Sequence, residues 1–238
     1  MKLFAFCLLS LALHIVGVCA EPLRSPPPPR PTAPTAVELA DPTLAATPEK
    51  RQQLHYLVRC ALPQHIVLYT QHGPDRFTFP GQLGLAPGWL RQPLTSTEER
   101  WVSACLFALT NPGGKHVEVS LYATPAPVPL LQLSADDQRH FALFEGGFFG
   151  NLFRPHPLAY ACRGERPPVA AHDPVFHDRV CTQPTGEHTP DRKPLTACQF
   201  ILTGPCSDPA SFIVDGAHYR EVIFVRLKPG LPHNQWHK

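Results

Sequence analysis

Six cysteines could carry covalent chemistry in this chain: Cys60, Cys105, Cys162, Cys181, Cys198 and Cys206. Two more, Cys7 and Cys19, fall in an apolar N-terminal run. An even set in an exported chain is most simply a disulfide framework, because an oxidising compartment lets thiols pair and stay paired. Helical phase selects one bridge. Cys60 lies beside the apolar face of a first predicted helix and Cys105 inside the apolar stripe of a second. Packing those faces brings the thiols together, so Cys60–Cys105 is the expected bridge. The last four cysteines occupy a region rich in proline, histidine and charge. Proximity along the chain favours Cys162–Cys181 and Cys198–Cys206. Zinc ligation by these four finds no Cys-x-x-Cys knuckle to support it. A nucleophilic role for Cys105 would need an exposed, electropositive setting, whereas this cysteine falls mid-helix on an apolar face.

Two further clusters could do chemistry. In Phe144-Glu145-Gly146-Gly147-Phe148-Phe149-Gly150-Asn151 a carboxylate sits among glycines and aromatic rings. Desolvation there would raise its pKa, glycines would admit a ligand to the backbone, and rings could stack on sugars. Glu145 is therefore the candidate acid/base of a polymer hydrolase. The competing reading is a packed helix-to-strand corner where Glu145 caps the backbone or pairs with Arg139 or Arg154. The second cluster is His172, Asp173, His177 and Asp178, with His188 and Asp191 downstream. Two imidazoles and two carboxylates could hold a divalent metal. Pro174 between the histidines breaks any regular ligand spacing, so a solvated loop is the expectation and no cofactor is assigned. No nucleophile elbow, Walker loop, dinucleotide fingerprint or His-Glu-x-x-His motif occurs.

The elements that must position these residues follow from periodicity. Thr47-Pro48-Glu49 reads as an N-cap, a first-turn proline and an acidic start. Leu54, Leu57, Val58 and Ala61 then mark one helical face that should end before Pro63. Strands are expected at Ile66–Tyr69 and Phe77–Phe79, with an ordered loop over 81–89. Ser96 and Glu99 read as a capping box for a helix carrying Trp101, Val102, Cys105, Leu106 and Leu109. Val117–Tyr122 alternates as a strand. A second box at Ser134 and Asp137 opens a short helix through Phe141 and Phe144 to Glu145, and a buried strand follows over Phe148–Phe153. Leu158–Cys162, Phe200–Leu202 and Glu221–Leu227 complete the strand candidates. The predicted class is α+β: two or three helices on a mainly antiparallel sheet, disulfide-stapled, with a loop-rich C-terminal part.

Outside that body, Met1-Lys2, the run Leu3 to Val18 and the small-residue ending Val18-Cys19-Ala20 have the grammar of a secretory signal peptide over 1–20. Cys19 also offers a lipid-anchor alternative. Residues 21–47 contain a proline cluster followed by an Ala/Thr-rich stretch and read as a disordered tether. Residues 48–238 read as one globular domain, with 161–238 a possible disulfide-stabilised extension. A hydrophobic share of 43% is too high for a wholly disordered chain. A net charge of +2 gives no basic stripe for nucleic acid. No later apolar run approaches the roughly 20 residues of a membrane span. The sequence thus points to a secreted, periplasmic or envelope protein that binds an extracellular or envelope ligand. The polymer hydrolase at Glu145 and a metal site at His172–Asp178 are the alternatives.

Overall fold

The computed structural model describes residues 45–111, 117–165, 173–179 and 181–230. The leader, Cys19 and nearly all of the tether lie outside the described residues. The first helix, α1 (Pro48–Ala61), starts where Thr47 accepts a side-chain hydrogen bond from the Lys50 N–H. It buries Leu54, Val58, Cys60 and Ala61, the face expected from spacing. Its last carbonyls have no partner within the helix. The following loop supplies several: the N–H groups of Leu83, Leu85 and Ala86 donate to Arg59, Cys60 and Ala61. Between helix and loop comes a hairpin, β1 (Val67–His72) and β2 (Asp75–Pro80).

α2 (Ser96–Leu109) buries Val102, Ala104, Cys105, Phe107 and Ala108. Its capping box is Thr95 with Glu98, one residue before the pair expected from the sequence. Thr95 and Ser96 are both competent caps. Glu99 is used elsewhere, accepting from the Asn151 side-chain amide at 3.0 Å.

After β3 (Val119–Tyr122) comes α3 (Ala135–His140), capped by Ser134. This helix stops at His140, short of Glu145, and β4 (Leu143–Asn151) begins three residues later. Arg226 accounts for the early stop. Its guanidinium donates to the carbonyls of Phe141 (2.7 Å) and Ala142 (2.9 Å), taking up groups a continuing helix would have used itself. The chain continues through β5 (Leu158–Arg163), the single turn α4 (Val175–Asp178), β6 (Pro184–His188), β7 (Pro194–Thr196) and β8 (Ile201–Pro205). A two-residue hairpin, β9 (Ile213–Val214) with β10 (Ala217–His218), precedes β11 (Ile223–Leu227).

The seven-stranded sheet has the order β3-β11-β4-β5-β8-β7-β6, and β5–β8 is its parallel pair. The fold is α+β, with helices on a mainly antiparallel sheet, and three disulfides staple it. Alternation assigns the two faces of the sheet. Ile223, Val225 and Leu227 of β11 and Phe148 of β4 enter the main core with the buried residues of α1 and α2. Phe149 and Tyr160 point the other way, into a smaller core closed by Val214, Tyr219 and Val222. Gly150 shows where β4 leaves no room for a side chain. Its φ is +139°, and a Cβ there would lie 2.1 Å from the Leu158 carbonyl oxygen.

Cys60–Cys105 joins α1 to α2, as the helix phases predict. The remaining bridges are Cys162–Cys206 and Cys181–Cys198, not the two local pairs expected from proximity. Sheet register is the reason. Parallel pairing sets Cys162 opposite Gly204 and lets the Cys206 N–H donate to the Arg163 carbonyl at 2.9 Å. Cys181 is left for Cys198, which lies between β7 and β8.

The smaller core yields a pH prediction. Tyr160 is 1% exposed, and burial, reinforced by Tyr219 and Asp215, pushes its phenol up to about 12. A phenol in the unfolded chain titrates near 10. Stability gained by keeping Tyr160 neutral is therefore complete below about pH 10 and is lost as the pH rises towards 12. Urea midpoints measured against pH should fall across that window, and Tyr160→Phe should flatten the fall. Identical alkaline profiles for the two proteins would contradict this account.

Candidate functional site

Glu145 lies at an irregularity in the pairing of β4 with β11, where the register shifts between Val225 and Arg226. The shift places an extra residue in β4, and its side chain enters a closed interior. Glu145 is 0% exposed. Its partner is Arg179, itself 2% exposed, rather than Arg139 or Arg154. Arg179 donates through Nε to Glu145 Oε2, through Nη2 to the Ala108 carbonyl and through Nη1 to the Thr110 carbonyl at 3.1 Å. The guanidinium also lies over the Phe148 ring, 5.7 Å from its centroid. The Thr182 hydroxyl donates to the Glu145 main-chain carbonyl at 3.2 Å. One cation thus neutralises a buried carboxylate and caps the negative C-terminal end of α2. Arg179 was not legible as a partner, because no local spacing links it to Glu145.

The histidine-carboxylate cluster is placed only in part. His172 lies outside the described residues, and His177 belongs to α4. The segment is not a solvated loop, since α4 folds here and Phe176 and Arg179 are buried. Asp173 clamps two chain segments: Oδ1 accepts from the N–H groups of Val175 and Gly230, both at 3.0 Å. Asp178 closes α4, and its N–H donates to the Pro174 carbonyl. Downstream, His188 ends β6, and Asp191 pairs with Lys193 at 3.2 Å. Among the described residues, no group of three or more His, Cys, Asp or Glu side chains converges as a metal site.

A different place, an open depression on the surface, is lined by aromatic side chains. A pocket of about 350 Å³ opens on the sheet face opposite the main core. Tyr122, Phe144 and Phe224 line it from β3, β4 and β11, Cys206 and Ser207 from the segment after β8, and Glu165 from the segment after β5. Strand register gathers the rings. Tyr122 is the direct partner of Phe224, and Phe144 pairs with the adjacent Arg226. Tyr122 stacks on Phe224 with centroids 5.1 Å apart, and Phe144 tilts against both at 6.4 and 6.0 Å. Gly147 makes room for this cluster. A Cβ there would stand 2.9 Å from the Phe224 ring and 3.0 Å from Cys162 Sγ. Burial raises the Tyr122 phenol above its ordinary value, with Arg226 pulling part of the way back, so the ring is neutral at physiological pH. In the sequence Phe144 stands out as a neighbour of Glu145 and as part of the apolar spacing that follows Ser134. Tyr122 and Phe224 looked like ordinary strand residues until the register was known.

The arrangement defines a disulfide-stabilised domain of the kind found in oxidising, extracellular-type compartments. Among the described residues, no helix is long and apolar enough to cross a membrane. Compared with known proteins, the chain matches no family model, no curated protein and no solved structure.

Proposed function

We propose that this chain is an exported binding module: residues 1–20 direct export, 21–47 tether the body, and the aromatic pocket holds an extracellular or envelope ligand. The observation that carries the reading is the gathering of Tyr122, Phe144 and Phe224 around one cavity on a disulfide-stapled sheet. Concave sites lined by aromatic groups with a few polar ones are where small ligands bind. The cavity lies at the small end of the range for such sites, which is roughly 300–1,000 Å³. The polymer-hydrolase alternative gains no support here. Glu145 is fully buried against Arg179 and does not line this cavity.

The test is a fragment screen by protein NMR on the oxidised protein. Shift changes should cluster on Tyr122, Phe144 and Phe224. They should vanish in Tyr122→Ala, whose three bridges are checked by non-reducing peptide mapping. A screen whose hits all fall elsewhere on the surface would sink the assignment of the site.

A further inference from the structure

We infer, resting on that pocket assignment, that its ligand is a small molecule carrying an ammonium group, held by the rings of Tyr122, Phe144 and Phe224 and by the Glu165 carboxylate. The argument is one of charge. Aromatic rings present negative faces, and cations are drawn to them. Glu165 adds a formal negative charge at the same cavity, and it is exposed. Among the described residues no Lys, Arg or His forms an ion pair with it, and none lines the pocket. Arg226 borders the pocket, acting on the Tyr122 phenol, but two of its N–H groups are already given to the carbonyls of Phe141 and Ala142 and it lies outside the lining. An anionic ligand would face Glu165 with only the already engaged Arg226 to offset the repulsion. A neutral sugar could hydrogen-bond Tyr122, Thr124, Ser207 and Glu165 but would leave the Glu165 charge without a counter-charge. The volume, about 350 Å³, is ample for a molecule of choline size.

Choline and its uncharged carbon isostere, dimethylbutanol, share one shape and differ in charge, so they separate the charge argument from the pocket assignment. Each is titrated into the oxidised protein and followed by NMR. Choline should shift the Tyr122 and Phe224 resonances saturably, and the isostere should bind about tenfold more weakly. Glu165→Gln should weaken choline about threefold without changing the fold, and Tyr122→Ala should abolish the shifts. Equal binding of both compounds at the pocket would overturn the ammonium inference and leave the binding module standing. Choline binding untouched by both substitutions would place it elsewhere and overturn the inference. Binding to phosphatidylcholine vesicles with none to free choline would overturn the small-molecule form in favour of a headgroup surface. No shift from either compound, with an empty fragment screen, would overturn inference and pocket together.

Discussion

Arg179→Met should lower the melting temperature by about 10 °C, the largest effect expected of any single substitution considered. Removing one partner of a buried ion pair strands the other charge away from water, which costs about 3–5 kcal/mol. In a chain of this size each kcal/mol moves the midpoint by roughly 2–4 °C. Arg179 also donates to the carbonyls of Ala108 and Thr110, so its loss uncaps α2 as well. Glu145→Gln keeps the volume and part of the hydrogen bonding and should fall between wild type and Arg179→Met. The double variant Glu145→Leu with Arg179→Met removes both charges and should recover part of the loss. Scanning calorimetry of the four proteins decides the matter. An Arg179→Met midpoint within about 2 °C of wild type would mean that the pair contributes little.

The second large effect concerns Cys60–Cys105. Replacing both residues by alanine frees a loop of sequence separation 45 in the unfolded chain. On the chain-entropy description that costs about 4 kcal/mol. Both positions are 0% exposed, so lost sulfur packing adds to the deficit. Cys181–Cys198 spans a separation of only 17, and its removal should cost about 3 kcal/mol on the same basis. Urea midpoints should therefore rank wild type above the Cys181/Cys198 variant, and that above the Cys60/Cys105 variant. The reverse order would show that native packing outweighs loop closure in setting what these bridges are worth.

What could be read in advance was whatever depends on neighbours along the chain. Thr47-Pro48 and the spacing of Leu54, Val58 and Ala61 are local, and they place α1 where it folds. The α2 box lies one position before the expected pair because Thr95 and Ser96 can both cap. Glu145 lies in a strand rather than at a helix end for a different reason. Phe141 and Phe144 continue the spacing of α3, but Arg226, some eighty residues later, binds the carbonyls that would have extended that helix. Tertiary contact overrode a weak local preference. The bridges to Cys206 and Cys198 depend on a parallel strand pair that no short-range pattern encodes. The pocket is harder still, since Tyr122, Phe144 and Phe224 become neighbours only through the pairing of three strands distant in sequence.

The position of β11 has a consequence for how the polypeptide is made. This late strand is inserted between β3 and β4 and forms the lateral wall of both cores. Until residue 227 has left the ribosome, Phe148 lacks Ile223 as its cross-strand neighbour, and Tyr122 has no Phe224 to stack on. Vectorial synthesis thus postpones closure of the sheet until residue 227 has emerged, because contacts so far apart along the chain cannot form sooner. A chain stalled before that residue would leave β3 and β4 unjoined and the aromatic cluster of Tyr122, Phe144 and Phe224 unassembled.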